Sequence, residues 1–150
     1  MVDHTPPFVP ADFTPPDPPR TDVFWLEPLG PEHNESDYEA WTPSIDHILA
    51  TPGFEGSDWP RPMSLAENLE DLTMHARHFE ERRGFTYTVR STSSHDVIGC
   101  LYIYPSKDAS HDAKVRSWVR AADSELDPVM VAVVEEWLAR AWPFRAVDYR

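Results

Sequence analysis

Apolar positions along the chain change period several times, and each change predicts a new element. Residues 23–29 form a short apolar run bounded by Asp22 and by Pro28 and Pro31, which predicts a first strand. Tyr38, Trp41, Ile45, Ile48 and Leu49 then recur every three to four residues, the helical period. Pro43 should break this stretch, with Thr42 capping a second short helix. Residues 54–63 carry Gly56, Asp58, Pro60 and Pro62 and predict a loop holding one large aromatic, Trp59.

The clearest helical signal follows. Ser64 and Glu67 have the spacing of a capping box, Leu65, Leu69, Leu72, Ala76 and Phe79 make an apolar stripe, and Gly84 stops the helix beyond Arg82 and Arg83. Residues 85–90 and 97–104, rich in aromatic and β-branched side chains, predict a hairpin across the polar segment 91–96. Pro105 ends the second of these strands. Residues 114–119 alternate Val115, Ser117 and Val119 against Lys114, Arg116 and Trp118, a third strand of a meander. Asp127 before Pro128 predicts a capped helix start. That helix should run to about Arg140, and residues 129–134 are apolar on nearly every side, as expected of a helix buried against a sheet. After Pro143, residues 145–149 predict a last strand, parallel to the one before the helix. The fold class is α/β (α+β).

Composition adds an arm and removes several function classes. Seven of sixteen prolines precede residue 21, so residues 1–21 are expected to form an extended arm, separate from a domain over 22–150. Phe8, Val9 and Phe13 could pin it to the body, and a disordered tail is the alternative. A formal charge of −13 with no local basic run argues against nucleic acid and membrane partners. No segment approaches the ~20 apolar residues of a membrane span, and the N-terminus lacks a signal-peptide pattern, so a cytoplasmic protein is expected. Cys100, the single cysteine, should be buried and inert. His75 and His78 are three apart rather than at the i, i+4 spacing of the helical zinc motif, so no metal site is expected and a solvated helix flank is the reading.

The order strand, two helices, three-stranded meander, helix, parallel strand resembles the acetyl-CoA-dependent N-acetyltransferases of the GNAT superfamily. The residues that carry the resemblance are Phe24 to Leu29 as opening strand, Tyr87 to Val89 on the second, Val97-Ile98-Gly99-Cys100 at the start of the third, and Ser117-Trp118-Val119 on the fourth. It covers residues 22–149. No one of these motifs is specific, and an unrelated α+β domain stays open. The resemblance implies a mixed sheet in the order one to five, its last two strands parallel, with helices on both faces. It also implies acetyl transfer from acetyl-CoA to an amine of a small molecule or peptide.

In that family the pantetheine arm lies between the splayed fourth and fifth strands, and the pyrophosphate sits on a Gly-rich turn at a helix N-terminus. By resemblance the cofactor-binding positions are Ser117, Trp118, Val119, Arg120, Ser124 and Leu126. Tyr149 is the candidate acid for the leaving thiolate. Trp41, Trp59, Tyr102 and Tyr104 lie on segments that border the acceptor cleft. The sequence departs from the family pattern at residues 120–128, which hold no glycine and the acids Asp123, Glu125 and Asp127. It also has no acid within 114–119 to serve as base, and it lacks the helix and two strands that family members commonly add after the fifth strand. The final strand is therefore expected to be an edge, covered by the arm or by a second subunit in a homodimer. The alternative function is a catalytically degenerate member acting as a ligand-binding or dimerisation module.

Overall fold

The computed structural model describes residues 6–150, so residues 1–5 of the expected arm lie outside the described residues. Five strands, β1 (Phe24–Pro28), β2 (Phe85–Ser91), β3 (Val97–Pro105), β4 (Ala113–Val119) and β5 (Val147–Asp148), form one sheet in the order 1-2-3-4-5. The first three pairings are antiparallel and β4–β5 is parallel. Four helices complete the fold: α1 (Asn34–Trp41), α2 (Ile45–Leu49), α3 (Leu65–Glu80) and α4 (Asp127–Ala141). Strand and helix order are those expected from the periodicities, because runs of period 2 and 3.6 each bury one face.

The sheet separates two cores. On one side Cys100 and Trp118 pack with Trp41, Ile48, Phe54 and Leu72 beneath α1 to α3. On the other Leu101, Ile103, Val115 and Val119 pack with Met130, Val134, Trp137 and Leu138 of α4. Gly99 fits where β3 and β4 approach most closely: a Cβ there would stand 2.4 Å from the Trp118 carbonyl oxygen.

The proline-rich segment lies on the α4 side of the sheet. Val9 is buried, Phe8 stacks on Phe85 and Phe144, and Phe13 packs on Trp142. Because prolines supply no amide donors, other groups bond the segment's carbonyls. Arg82 donates to the Pro10 and Phe13 carbonyls, each at 2.7 Å, and the Trp137 indole donates to that of Asp17 at 3.0 Å.

Four local expectations are corrected. Thr42 does not cap α2: it lies in a 3-10 turn (Thr42–Ser44), and its hydroxyl donates to the Tyr38 carbonyl at 2.8 Å. Ser44 holds the N-cap position, but its Oγ accepts the Ala121 amide at 2.9 Å. Asp127 is not a cap either. A 3-10 helix (Ala121–Leu126) runs directly into α4, Leu126 takes the N-cap position, and Arg150 holds the Asp127 carboxylate. The stripe on α3 is rotated, for Asn68 and Leu72 are buried while Leu65 and Leu69 are about 40% exposed. Finally, α4 is not enclosed all round: Met130, Val134, Trp137 and Leu138 face inward, and Val129 is 43% exposed.

Candidate functional site

Two features meet at β4, an edge that no strand pairs beyond β5 among the described residues and a cavity on one face. Asp112 anchors the start of β5 by accepting the Arg145 and Ala146 amides at 2.6 and 3.2 Å, and Lys114 pairs with Asp148 at 3.0 Å. The Arg145 amide, first among these bonds, holds the Asp112 carboxyl below the usual range. Pairing of the two strands covers Ala113–Val147 and Lys114–Asp148, the whole of the two-residue β5. Because the Arg120 amide bonds to Ile98 on β3, alternation turns the backbone groups of Val115, Ser117 and Val119 toward the β5 side.

Tyr149 and Arg150 lie against that edge. The Tyr149 hydroxyl lies 2.5 Å from Ser117 Oγ, and burial pushes its pKa up to about 12, so the phenol is protonated at neutral pH. Arg150 donates to the Ser117 carbonyl at 2.8 Å and also holds Asp127. Of the other positions expected to bind cofactor, Ser117, Trp118 and Val119 are fully buried, Leu126 is half-buried and Ser124 is exposed. Trp118 and Val119 point to opposite faces of the sheet, Trp118 into the core beneath the first three helices. Arg120 pairs its Nε with Asp123 at 2.5 Å inside the 3-10 turn, so part of its charge is matched within the turn. That turn already uses the Asp123 and Asp127 amides, bonded to the Arg120 and Ser124 carbonyls.

The cavity, about 210 Å³, opens on the side of α1 and α3. Trp59 and Tyr102 line it together with Asp37, Asn68, Asp71 and Arg116. Trp41 is fully buried behind it, its ring 5.4 Å from that of Trp59. Tyr104 faces instead a groove shared with Lys114 and Asp148. Sequence reasoning missed Asp37 and Asn68 because their burial depends on partners far along the chain. Asn68 accepts the Trp41 indole N–H at 3.0 Å and donates to Asn34 Oδ1 at 2.8 Å and Asp37 Oδ2 at 3.1 Å. The expected solvated histidine flank is also corrected: His75 and His78 place Nδ1 at 2.7 and 3.0 Å from the Tyr104 hydroxyl. Their spacing of three, which places both on one helix face, was the available signal. Cys100 is buried, and burial pushes its thiol up. Among the described residues no three ligand-type side chains converge on a metal position.

Two buried groups give opposite pH responses. Burial, then the charges of His78 and Arg116, lowers His75 to about 4, so its proton uptake by the unfolded chain removes stability as pH falls from 6.5 to 4. Burial raises Asp37 to about 7, opposed by the Asn68 bond, so stability present below its ordinary value of 3.8 is lost as pH rises toward 7. Urea midpoints of Asp37→Asn should therefore fall more steeply with acidification below pH 6.5 than those of the wild type. Those of His75→Gln should fall less, or rise. Parallel curves for all three proteins would refute both assignments.

No protein-family model and no curated protein matches the sequence. Solved structures do match the fold. The chain is similar to Mycobacterium smegmatis RimJ in complex with CoA-disulfide, at 12% identity and TM-score 0.65 over 84% of this chain and 61% of that one. It is similar to the Salmonella typhimurium acetyltransferase that modifies the N-terminal serine of ribosomal protein L7/L12, at 9% and 0.62 over 80% and 66%. It is also similar to the microcin C7 self-immunity acetyltransferase MccE in complex with acetyl-CoA and AMP, at 11% and 0.60 over 78% and 63%. The chain thus spans just under two thirds of the length of these proteins. Its fold is the GNAT acetyltransferase fold, with a mixed five-stranded sheet and helices on both faces. Among the described residues no helix is long and apolar enough to cross a membrane.

Proposed function

We propose that this chain is an N-acetyltransferase that carries acetyl-CoA along the β4 edge beyond its pairing with β5 and transfers its acetyl group to an amine. The single observation that carries the reading is that β4 pairs with β5 at two residues only, so among the described residues no strand pairs with the Val115 to Val119 edge and the side chains of Tyr149 and Arg150 meet it instead. The pantetheine amides would bond to this edge as a further strand does. The neutral amine nitrogen would attack the thioester carbonyl, the C–S bond would break, and the thiolate would take a proton from Tyr149 Oη, which is protonated at neutral pH. The proton released by the acylated nitrogen would pass through solvent to restore the Tyr149 phenol. Arg150 would have to release the Ser117 carbonyl for the arm to settle.

The pyrophosphate end fits less well. The 3-10 turn spends amides internally and places Asp123 and Asp127 where an anion would come. This favours a second reading, a GNAT-fold module that binds another ligand and does not transfer acetyl groups. Thermal shift separates the two. Acetyl-CoA at about 100 times its Kd stabilises the fold by about 2.7 kcal/mol, roughly 5–11 °C for a chain of this size. Asp123→Asn, which frees Arg120 and removes about 1 kcal/mol of repulsion, should tighten binding about fivefold. No shift at millimolar acetyl-CoA ends the transferase reading. An unchanged affinity in the variant would place the pyrophosphate elsewhere.

A further inference from the structure

The cavity between α1, α3 and β4 carries charge of both signs inside an apolar wall. Asp37 is 4% exposed, lines the cavity and receives one hydrogen bond, from Asn68 to a single carboxylate oxygen. Asp71 stands close enough to raise Asp37 by its charge, and is itself half-buried in the same lining. Arg116 is in the same lining, with its guanidinium carbon 4.8 Å from the Phe54 ring centre and 5.6 Å from that of Tyr102. Among the described residues no carboxylate lies within 4.0 Å of this guanidinium, although the chain holds 26 acids against 13 Lys and Arg. Leu29, Leu72 and Trp59 supply the apolar remainder.

A bare amine would meet the two carboxylates but also the fixed cation of Arg116, and a bare acid would meet the reverse. Only a ligand carrying both groups satisfies all three side chains. At about 210 Å³ the cavity lies below the roughly 300–1,000 Å³ of sites for drug-sized ligands. We propose that it binds a free α-amino acid with an apolar side chain, its ammonium toward Asp37 and Asp71, its carboxylate on Arg116, and its side chain against Trp59, Leu29 and Leu72. The inference rests on the transferase reading only for what becomes of the amine, which would then be the acetyl acceptor.

The test is titration calorimetry on the full chain at neutral pH, without acetyl-CoA. The probes are leucine and phenylalanine, their decarboxylated counterparts isopentylamine and phenethylamine, and their deaminated counterparts isocaproic and hydrocinnamic acid. At least one amino acid should bind about tenfold or more tightly than both of its counterparts. Arg116→Gln should abolish the preference over the amine. Asp71→Asn, at a half-buried position whose loss leaves the core intact, should weaken the amino acid while sparing the acid. An amine that binds as tightly as its amino acid overturns the proposal. So does the absence of amino-acid binding at millimolar concentration. Acetyl-CoA is titrated separately. Amino-acid binding without acetyl-CoA binding would leave this inference standing and end the transferase reading, and the reverse result would do the opposite.

Discussion

Asn68→Ala should destabilise the protein by about 3–5 kcal/mol, the largest loss expected from any single polar substitution. The side chain is 1% exposed and joins three groups: the buried Trp41 indole N–H, the buried Asp37 Oδ2 and the half-buried Asn34 Oδ1. Each buried group left unpaired costs about 1–3 kcal/mol, and a carboxylate costs more. Packing contributes less, as a comparison of variants can establish. Asn68→Asp keeps the volume but replaces the Nδ2 donor with an oxygen facing Asp37, so it should be at least as damaging as the alanine. Adding Asp37→Asn to Asn68→Asp restores a donor between the two positions and should recover part of the loss. Denaturant midpoints with unchanged slopes would measure this, and a well-tolerated Asn68→Asp would show that shape, not hydrogen bonding, is what the site requires.

Trp118→Ala should cost a similar amount, about 3–5 kcal/mol, for a different reason. Trp118 is fully buried on the face of β4 beneath the first three helices, with its ring centre 6.0 Å from that of Trp59 and its indole N–H donating to the Tyr102 hydroxyl at 3.1 Å. Truncation removes a large apolar surface, opens a hole under the cavity and deprives Tyr102 of a donor. At roughly 2–4 °C per kcal/mol for a chain of this size, the melting temperature should fall by about 6–20 °C. Trp118→Phe fills most of the volume and loses the indole donor, so it should cost about 1–2 kcal/mol. Equal losses for the two variants would mean that the hydrogen bond to Tyr102 outweighs the packing.

Both residues lie on elements that were legible in the sequence, yet their roles were not. Trp118 was placed on the fourth strand opposite Val115 and Val119, and alternation does put it on the opposite face of the sheet. What alternation could not assign was which layer covers that face. The α3 segment is a sharper case. Its capping box, Ser64 with Glu67, is formed with bonds of 2.9 and 3.1 Å, because both partners lie within one turn. Its apolar stripe misled, since Leu65 and Leu69 face outward and the helix instead turns in the face carrying Asn68, Leu72 and His75. Burying polar side chains there is favourable only because α1 and β3 bring Asp37, Trp41 and Tyr104 to meet them.

The region from Arg120 to Pro128 shows the same division. Its lack of glycine and its three acids were plain in the sequence. That Arg120 would spend its charge on Asp123, and that Arg150 would reach Asp127 and the Ser117 carbonyl, depended on β5 returning beside β4. The sequence by itself determined the elements, their order and the parallel last pairing, because hydrophobic period, proline and glycine act within a few residues of where they stand. The tertiary structure alone decided the cavity, the polar hub and the contacts of Tyr149 and Arg150 with the β4 edge. Those depend on contacts between groups such as His75 and Tyr104, 29 residues apart, or Asp37 and Asn68, 31 apart, and a buried polar group is stable only where the fold supplies its partner.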